Sequence, residues 1–156
     1  MKTYKGKLDL NQLKVAIVIS QYNDYVTNRL LVGALEGFKD QGFVADSIDV
    51  VYVPGVLEMP LISKQLIKKE EYDVIVCLGA VIKHEKFSTD FISNETMNKL
   101  TQLSIDTNMP IINGILMTQS TTDAFSQSDI THGNYGYQYA ITAIEMVSLM
   151  QKVSKK

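Results

Sequence analysis

The chain has 156 residues, about one domain's worth, and at that size folding buries roughly 70% of the unfolded chain's surface. With 46% hydrophobic and 21% charged residues it is neither disordered nor collagen-like, and a net charge of −2 argues against a general nucleic-acid surface. Arg29 is the only arginine among the 15 basic residues, so any phosphate held here must meet lysines, backbone N–H groups or Arg29 itself.

The lysine-bearing start, residues 1–13, reads as an N-terminal arm or frayed tail within a single domain spanning 1–156. The apolar run behind it, Val15–Ile19, is shorter than the roughly 7–15 residues of a signal h-region. No stretch approaches the roughly 20 apolar residues of a membrane span, so a cytoplasmic protein without membrane contact is expected. Val15–Ile19 also reads as a first strand, rich in β-branched residues. Val26, Leu30, Leu31, Ala34, Leu35 and Phe38 then recur at helical spacing, with Gly42 as the stop. Ile48–Val53 is a second strand. Pro54-Gly55 turns the chain into a helix over Met59–Lys69. Val74–Leu78 is a third strand, and Ile92, Thr96, Leu100, Leu103 and Thr107 share one face of the next helix, ended by Asn108 and Pro110. Ile111–Leu116 is a fourth strand and Tyr137–Val153 a last helix. Continuous apolar runs of this length suit strands buried on both faces. The order β-α-β-α-β-α-β-α predicts an α/β, three-layer αβα sandwich on a four-stranded parallel sheet, flavodoxin-like in outline.

Ligands of such sheets bind beyond the carboxyl ends of the strands. The segments Ser20 to Asn23, Pro54 to Glu58, Gly79 to Asp90 and Asn113 to Met117 are therefore expected to converge on one cleft. Tyr22 can stack on a flat ring or anchor a loop. Asn23 can read a ring edge or cap the following helix. Glu58 suits the first turn of a helix without any ligand. The third segment gathers His84, Glu85, Lys86 and Ser88: His84 as acid or base, Lys86 as phosphate holder or Schiff-base amine, with Ser88, Thr89 or Asp90 as a helix cap. Asn113 to Gln127, rich in Thr, Ser and Gln, reads as a loop. His132 reads as a turn residue before the last helix. Cys77, alone in an apolar run, reads as a buried hydrophobe, and with only His84 and His132 no His/Cys zinc cluster can be built.

Tyr22-Asn23, Gly33-Ala34, Val53-Pro54-Gly55-Val56-Leu57-Glu58-Met59-Pro60, Tyr72-Asp73, Leu78-Gly79-Ala80-Val81-Ile82-Lys83, Pro110-Ile111-Ile112, Gly133-Asn134 and Ala143-Ile144-Glu145-Met146 together resemble the lumazine synthase family over nearly the whole chain. That family condenses 5-amino-6-(ribitylamino)uracil with 3,4-dihydroxy-2-butanone 4-phosphate to give 6,7-dimethyl-8-ribityllumazine, in riboflavin biosynthesis. The resemblance implies that Tyr22 stacks on the pyrimidine, that Val56, Leu57 and Glu58 hold the ribityl chain and the neighbouring ring edge, and that Ala80, Val81 and Ile82 line the ring pocket. It implies no metal and no cofactor, and a homo-oligomer, a pentamer or an icosahedral shell of pentamers, with sites between neighbouring subunits. It also exposes departures. The family's catalytic His falls on Ser88, beside His84 and Glu85, and the phosphate-side Thr falls on Lys86. The family's Phe, Arg and Lys fall on Asn113, Gln127 and Tyr135. Three expectations follow: an enzyme using His84 and Lys86; a paralogue that binds a ribityl-pyrimidine, lumazine or flavin without turnover, or with another carbonyl partner; and an assembly scaffold.

Overall fold

The computed structural model describes residues 1–6, 13–83 and 89–155. Its elements are β1 (Val15–Ser20), α1 (Asp24–Asp40), β2 (Ile48–Val53), α2 (Met59–Ile67), β3 (Val74–Ile82), α3 (Thr89–Thr107), β4 (Ile111–Thr118), α4 (Thr121–Ser128) and α5 (Tyr135–Ser154). All strand pairs are parallel, in the order β2-β1-β3-β4. The α/β three-layer reading of the sequence holds.

Side-chain alternation along β1 builds two cores. Val15, Ile17 and Ile19 meet Val26, Leu30, Ala34 and Phe38 of α1 and Ala140, Ala143, Ile144 and Val147 of α5. Ala16 and Val18 point the other way, toward Met59 and Leu66 of α2 and Leu100 of α3. Helices therefore cover both faces of the sheet, as parallel strands require. On the first face α1 and α5 cross closely, with Gly33 beside Asn134, Gly37 beside Ala140, and Gly136 against the backbone of Leu30. Gly42, with φ 97°, ends α1 in the left-handed region, and Asn108, with φ 53°, follows α3 in the same way.

Several boundaries differ from the sequence reading. β3 runs on past Leu78, because Gly79, Ala80, Val81 and Ile82 pair with Ile115, Leu116, Met117 and Thr118. Gly79-Ala80 breaks the β-branched pattern but not the hydrogen-bond ladder. Residues 113–118 are likewise strand, and the expected loop through Gln127 contains α4. The Ser120 hydroxyl accepts from the Asp123 backbone N–H at 3.1 Å, a side-chain cap legible as Ser-x-x-Asp. α2 is two residues shorter than expected, and α5 starts two residues earlier, at Tyr135. Burial on both faces holds for β1, while β2 at the sheet edge exposes Asp49 and Tyr52. Edge position, which the strand's own residues do not encode, decides this difference.

Candidate functional site

The sheet order places its topological switch between β1, whose crossover leads to β2 on one side, and β3 on the other. A cavity of about 280 Å³ lies there, lined by Ser20, Tyr22, Asn23, Val56, Ala80, Val81, Ile82, Thr89 and Ile92. A second cavity, of about 310 Å³, shares Tyr22, Val56 and Ile92 and runs along Pro54, Gly55, Leu57 and Glu58. The two form one cleft, mostly apolar with a few polar groups, a composition suited to a small organic ligand.

Backbone hydrogen bonds fix its rim. Gln21 N donates to Val53 O at 2.8 Å and Tyr22 N to Pro54 O at 3.2 Å, locking the end of β1 to the end of β2. Thr27, fully buried in α1, donates its hydroxyl to Ser20 O at 2.8 Å. Tyr22 is left 62% exposed over the cleft. Asn23 turns the chain into α1 with φ 58°, a left-handed conformation that Asn tolerates better than most residues. It holds the helix's cap position, but its side chain makes no cap. Instead its Nδ2 crosses to β3 and donates to Ala80 O at 2.9 Å. On the opposite wall, a 3-10 turn over Val56–Glu58 leads into α2, with Pro60 in the first turn, where its missing N–H costs nothing. Glu58 ends that turn rather than entering the helix, and is solvent-exposed.

Tyr22, Asn23, Val56, Leu57, Glu58, Ala80, Val81 and Ile82 are thus brought together. His84, Glu85, Lys86 and Ser88 lie outside the described residues. Thr89 and Asp90, weighed as caps, are the first two residues of α3. Thr89, within the expected Gly79 to Asp90 segment but given only a capping role, lines the cleft, and so does Ile92, which lies outside the expected segments although it is legible as part of α3's apolar face.

The fourth segment does not join this cleft. Asn113, Gln127 and Tyr135 are not among the residues that line it, and they do not sit together: Asn113, opposite Cys77, faces the α2/α3 side of the edge strand β4, whereas Tyr135 packs on the α1/α5 side. Asn113 sits on β4 opposite Cys77, with its Oδ1 buried and unpartnered among the described residues. Next to it Gly114 lies under Tyr139, whose ring meets Tyr135 edge-on at 6.3 Å. Gln127 packs its backbone against Gly133, just ahead of α5. Burial pushes the Tyr139 phenol up to about 12, with Tyr135 adding to the shift.

Among the described residues no three His, Cys, Asp or Glu side chains come together as a metal site, and no helix is long and apolar enough to cross a membrane. Cys77 is fully buried, with its thiol pushed up to about 12 by desolvation, as befits a packing residue and not a nucleophile. His132 is exposed in the turn before α5, beside Asp129 and Thr131. A family model described as 6,7-dimethyl-8-ribityllumazine synthase matches residues 12–151.

Proposed function

Because the chain belongs to the 6,7-dimethyl-8-ribityllumazine synthase family, we propose that its β1–β3 cleft binds a ribitylated pyrimidine and that the protein works in riboflavin biosynthesis as a lumazine-synthase-like enzyme. The observation that carries this reading is the cleft itself: an apolar ring-sized cavity under Tyr22 continuing into a groove along Val56–Glu58. The pyrimidine stacks on Tyr22 between Val56 and the Ala80–Ile82 wall, with Asn23 at its edge. The ribityl chain lies along the groove, where its hydroxyls meet Leu57 and Glu58.

The partner would be 3,4-dihydroxy-2-butanone 4-phosphate. The pyrimidine brings its own amine nucleophile, so the protein's main task is to hold two reactants in attack geometry. The amine adds to the ketone and loses water to form an imine, phosphate leaves, and the second nitrogen closes the ring with loss of a second water. His84 is assigned the proton transfers, Lys86 the phosphate, and Ser88 takes the place that the family's catalytic His has in the sequence. Asn113, Gln127 and Tyr135 act from a neighbouring copy in a homo-oligomer, a pentamer or an assembly of pentamers, because within one copy they lie apart from the cleft.

A second reading has its own support. Asn113, Gln127 and Tyr135 are all uncharged near neutral pH, a poor set for a phosphate dianion. A protein that binds the ribityl-pyrimidine, lumazine or a flavin without turnover, or one that takes an unphosphorylated carbonyl partner, fits that chemistry. An assay of purified protein with both substrates separates the readings. Lumazine formed above the uncatalysed rate, and lost in Tyr22→Ala, supports the enzyme. Tight lumazine binding without turnover supports the binding protein, and neither result would discard the cleft assignment.

A further inference from the structure

The sole arginine already has partners. Its guanidinium lies 4.6 Å from the centre of the Phe125 ring, and its Nη1 is 3.8 Å from Asp129 Oδ2. The same Phe125 ring meets Tyr25 at 5.3 Å, tilted by 46°. The Tyr25 hydroxyl in turn donates to Asn23 Oδ1 at 3.3 Å, and Asn23 Nδ2 donates to Ala80 O on the cleft wall. Each link is an ordinary contact, but the links are continuous. They run from Asp129, just past α4, through Arg29 and Phe125 to Tyr25 on α1, and end on a carbonyl that lines the cleft.

We propose that Tyr25, held under the Arg29-capped ring of Phe125, is a positioning residue of the cleft that fixes the Asn23 amide and, through it, the Ala80 wall. This rests on the cleft being the binding site. Three observations favour positioning over a purely structural role. Asn23 holds the cap position of α1, where an Asn side chain ordinarily bonds to its own helix, yet it is drawn across to β3. Only Tyr25 meets the amide's other end in the hydrogen bonds observed among the described residues. The clamp also concentrates on that ring: the Arg29–Asp129 pair is exposed and contributes little by itself, whereas a planar guanidinium over an aromatic face orients it. Asp129 is held in place independently, accepting from Thr131 N at 2.8 Å and Thr131 Oγ1 at 2.7 Å, which keeps its carboxyl below the usual range. α4 thereby gains a mechanical connection to the cleft without touching the ligand.

The test compares wild type with Tyr25→Phe, Arg29→Ala and Arg29→Lys. Tyr25→Phe removes a single hydroxyl from a ring already 41% exposed, so the fold is retained. In the ligand-free proteins, NMR of the Asn23 side-chain amide reads the bond to Ala80. The proposal expects its protons to shift and exchange faster in Tyr25→Phe and Arg29→Ala, with the melting temperature nearly unchanged, and to be only partly restored in Arg29→Lys, which keeps a cation over the ring but not the planar group that stacks on it. Titration with 6,7-dimethyl-8-ribityllumazine expects Kd to rise about threefold in the first two variants, the effect of one modest hydrogen bond. An unmoved Asn23 amide in Tyr25→Phe overturns the proposal, as does an Arg29→Ala variant that only lowers the melting temperature. If wild type does not bind the lumazine, the assignment of the cleft fails, while the Asn23 signals still decide the positioning role.

Discussion

Val56 packs so closely on Gly79 that a β-carbon on the glycine would lie 2.6 Å from Val56 Cγ1, with Ile115 and Met59 each 3.4 Å away. The 3-10 turn forming one cleft wall is thus seated on the strand forming the other, and the seat exists because position 79 has no side chain. Gly79→Ala gains roughly 0.4–1 kcal/mol from a stiffer unfolded chain. It loses about 1–3 kcal/mol by overpacking, since the branched Val56 side chain has little room to turn aside. The loss wins. Urea denaturation should show a net destabilisation, with weaker lumazine binding alongside it. Unchanged stability would mean that Val56 moves freely off the strand.

The α1–α5 crossing makes a harsher prediction. At Gly136 an added β-carbon meets the backbone carbonyl of Leu30, which cannot rotate away as a side-chain tip does. Gly136→Ala should therefore cost at least the upper end of the roughly 1–3 kcal/mol typical of overpacking, although alanine is the better helix former by about 1 kcal/mol. Thermal melts of wild type and variant check it. A variant as stable as wild type would mean that the two helices separate at little cost.

Alkaline titration reads two tyrosines. Tyr72 and Tyr139 are both pushed up to about 12, chiefly by burial. The Tyr72 hydroxyl also donates to Asp49 Oδ2 at 2.7 Å, which opposes its ionisation. In the unfolded chain both phenols return to the ordinary value near 10.0, so that chain releases its protons first. The contribution to stability is whole below about 10 and is lost as pH rises through about 12. Denaturation midpoints should fall across that window, and Tyr72→Phe should flatten the fall. An equally steep fall in that variant would remove Tyr72 from the account.

Cys77 supplies a probe of opening. Its thiol is fully buried and its pKa is pushed up to about 12, the Ser63 hydroxyl at 3.7 Å only partly offsetting desolvation. A thiol reagent near neutral pH should leave the folded protein unmodified and react fully in denaturant, at a native-state rate set by unfolding of the sheet. Rapid reaction of the folded protein would contradict that burial.

Much of this architecture is legible in the chain. Val15–Ile19 and Val74–Leu78 announce strands because apolar, β-branched runs have few other stable settings, and the α1 pattern from Val26 to Phe38 carries a helix's period. Legibility fails where a tertiary partner supplies the order. Gly79 and Ala80 have weak strand preference and join β3 because β4 offers them a ladder. The Thr/Ser/Gln-rich stretch hides α4, whose Ala124 and Ser128 are buried while Thr122, Asp123 and Ser126 face outward.

The candidate site divides along the same line. The sequence by itself determines the strand ends that can bear ligand groups, and it determines that Asn113, Gln127 and Tyr135 bring no cation. Local pattern suffices for these because residue identity and strand-end position are properties of the chain. Which of those ends face one another is decided only by the strand order, which brings β1 and β3 together and leaves Asn113, Gln127 and Tyr135 out of the cleft lining. The same holds for the two residues read most ambiguously. Asn23 neither caps its helix nor stands free, because the carbonyl of Ala80, 57 residues away, accepts a hydrogen bond from its amide, and Arg29 lies against Phe125 and Asp129. Hydrogen bonds and ring contacts between distant segments form only after the sheet has brought those segments together, so no local pattern could have announced them.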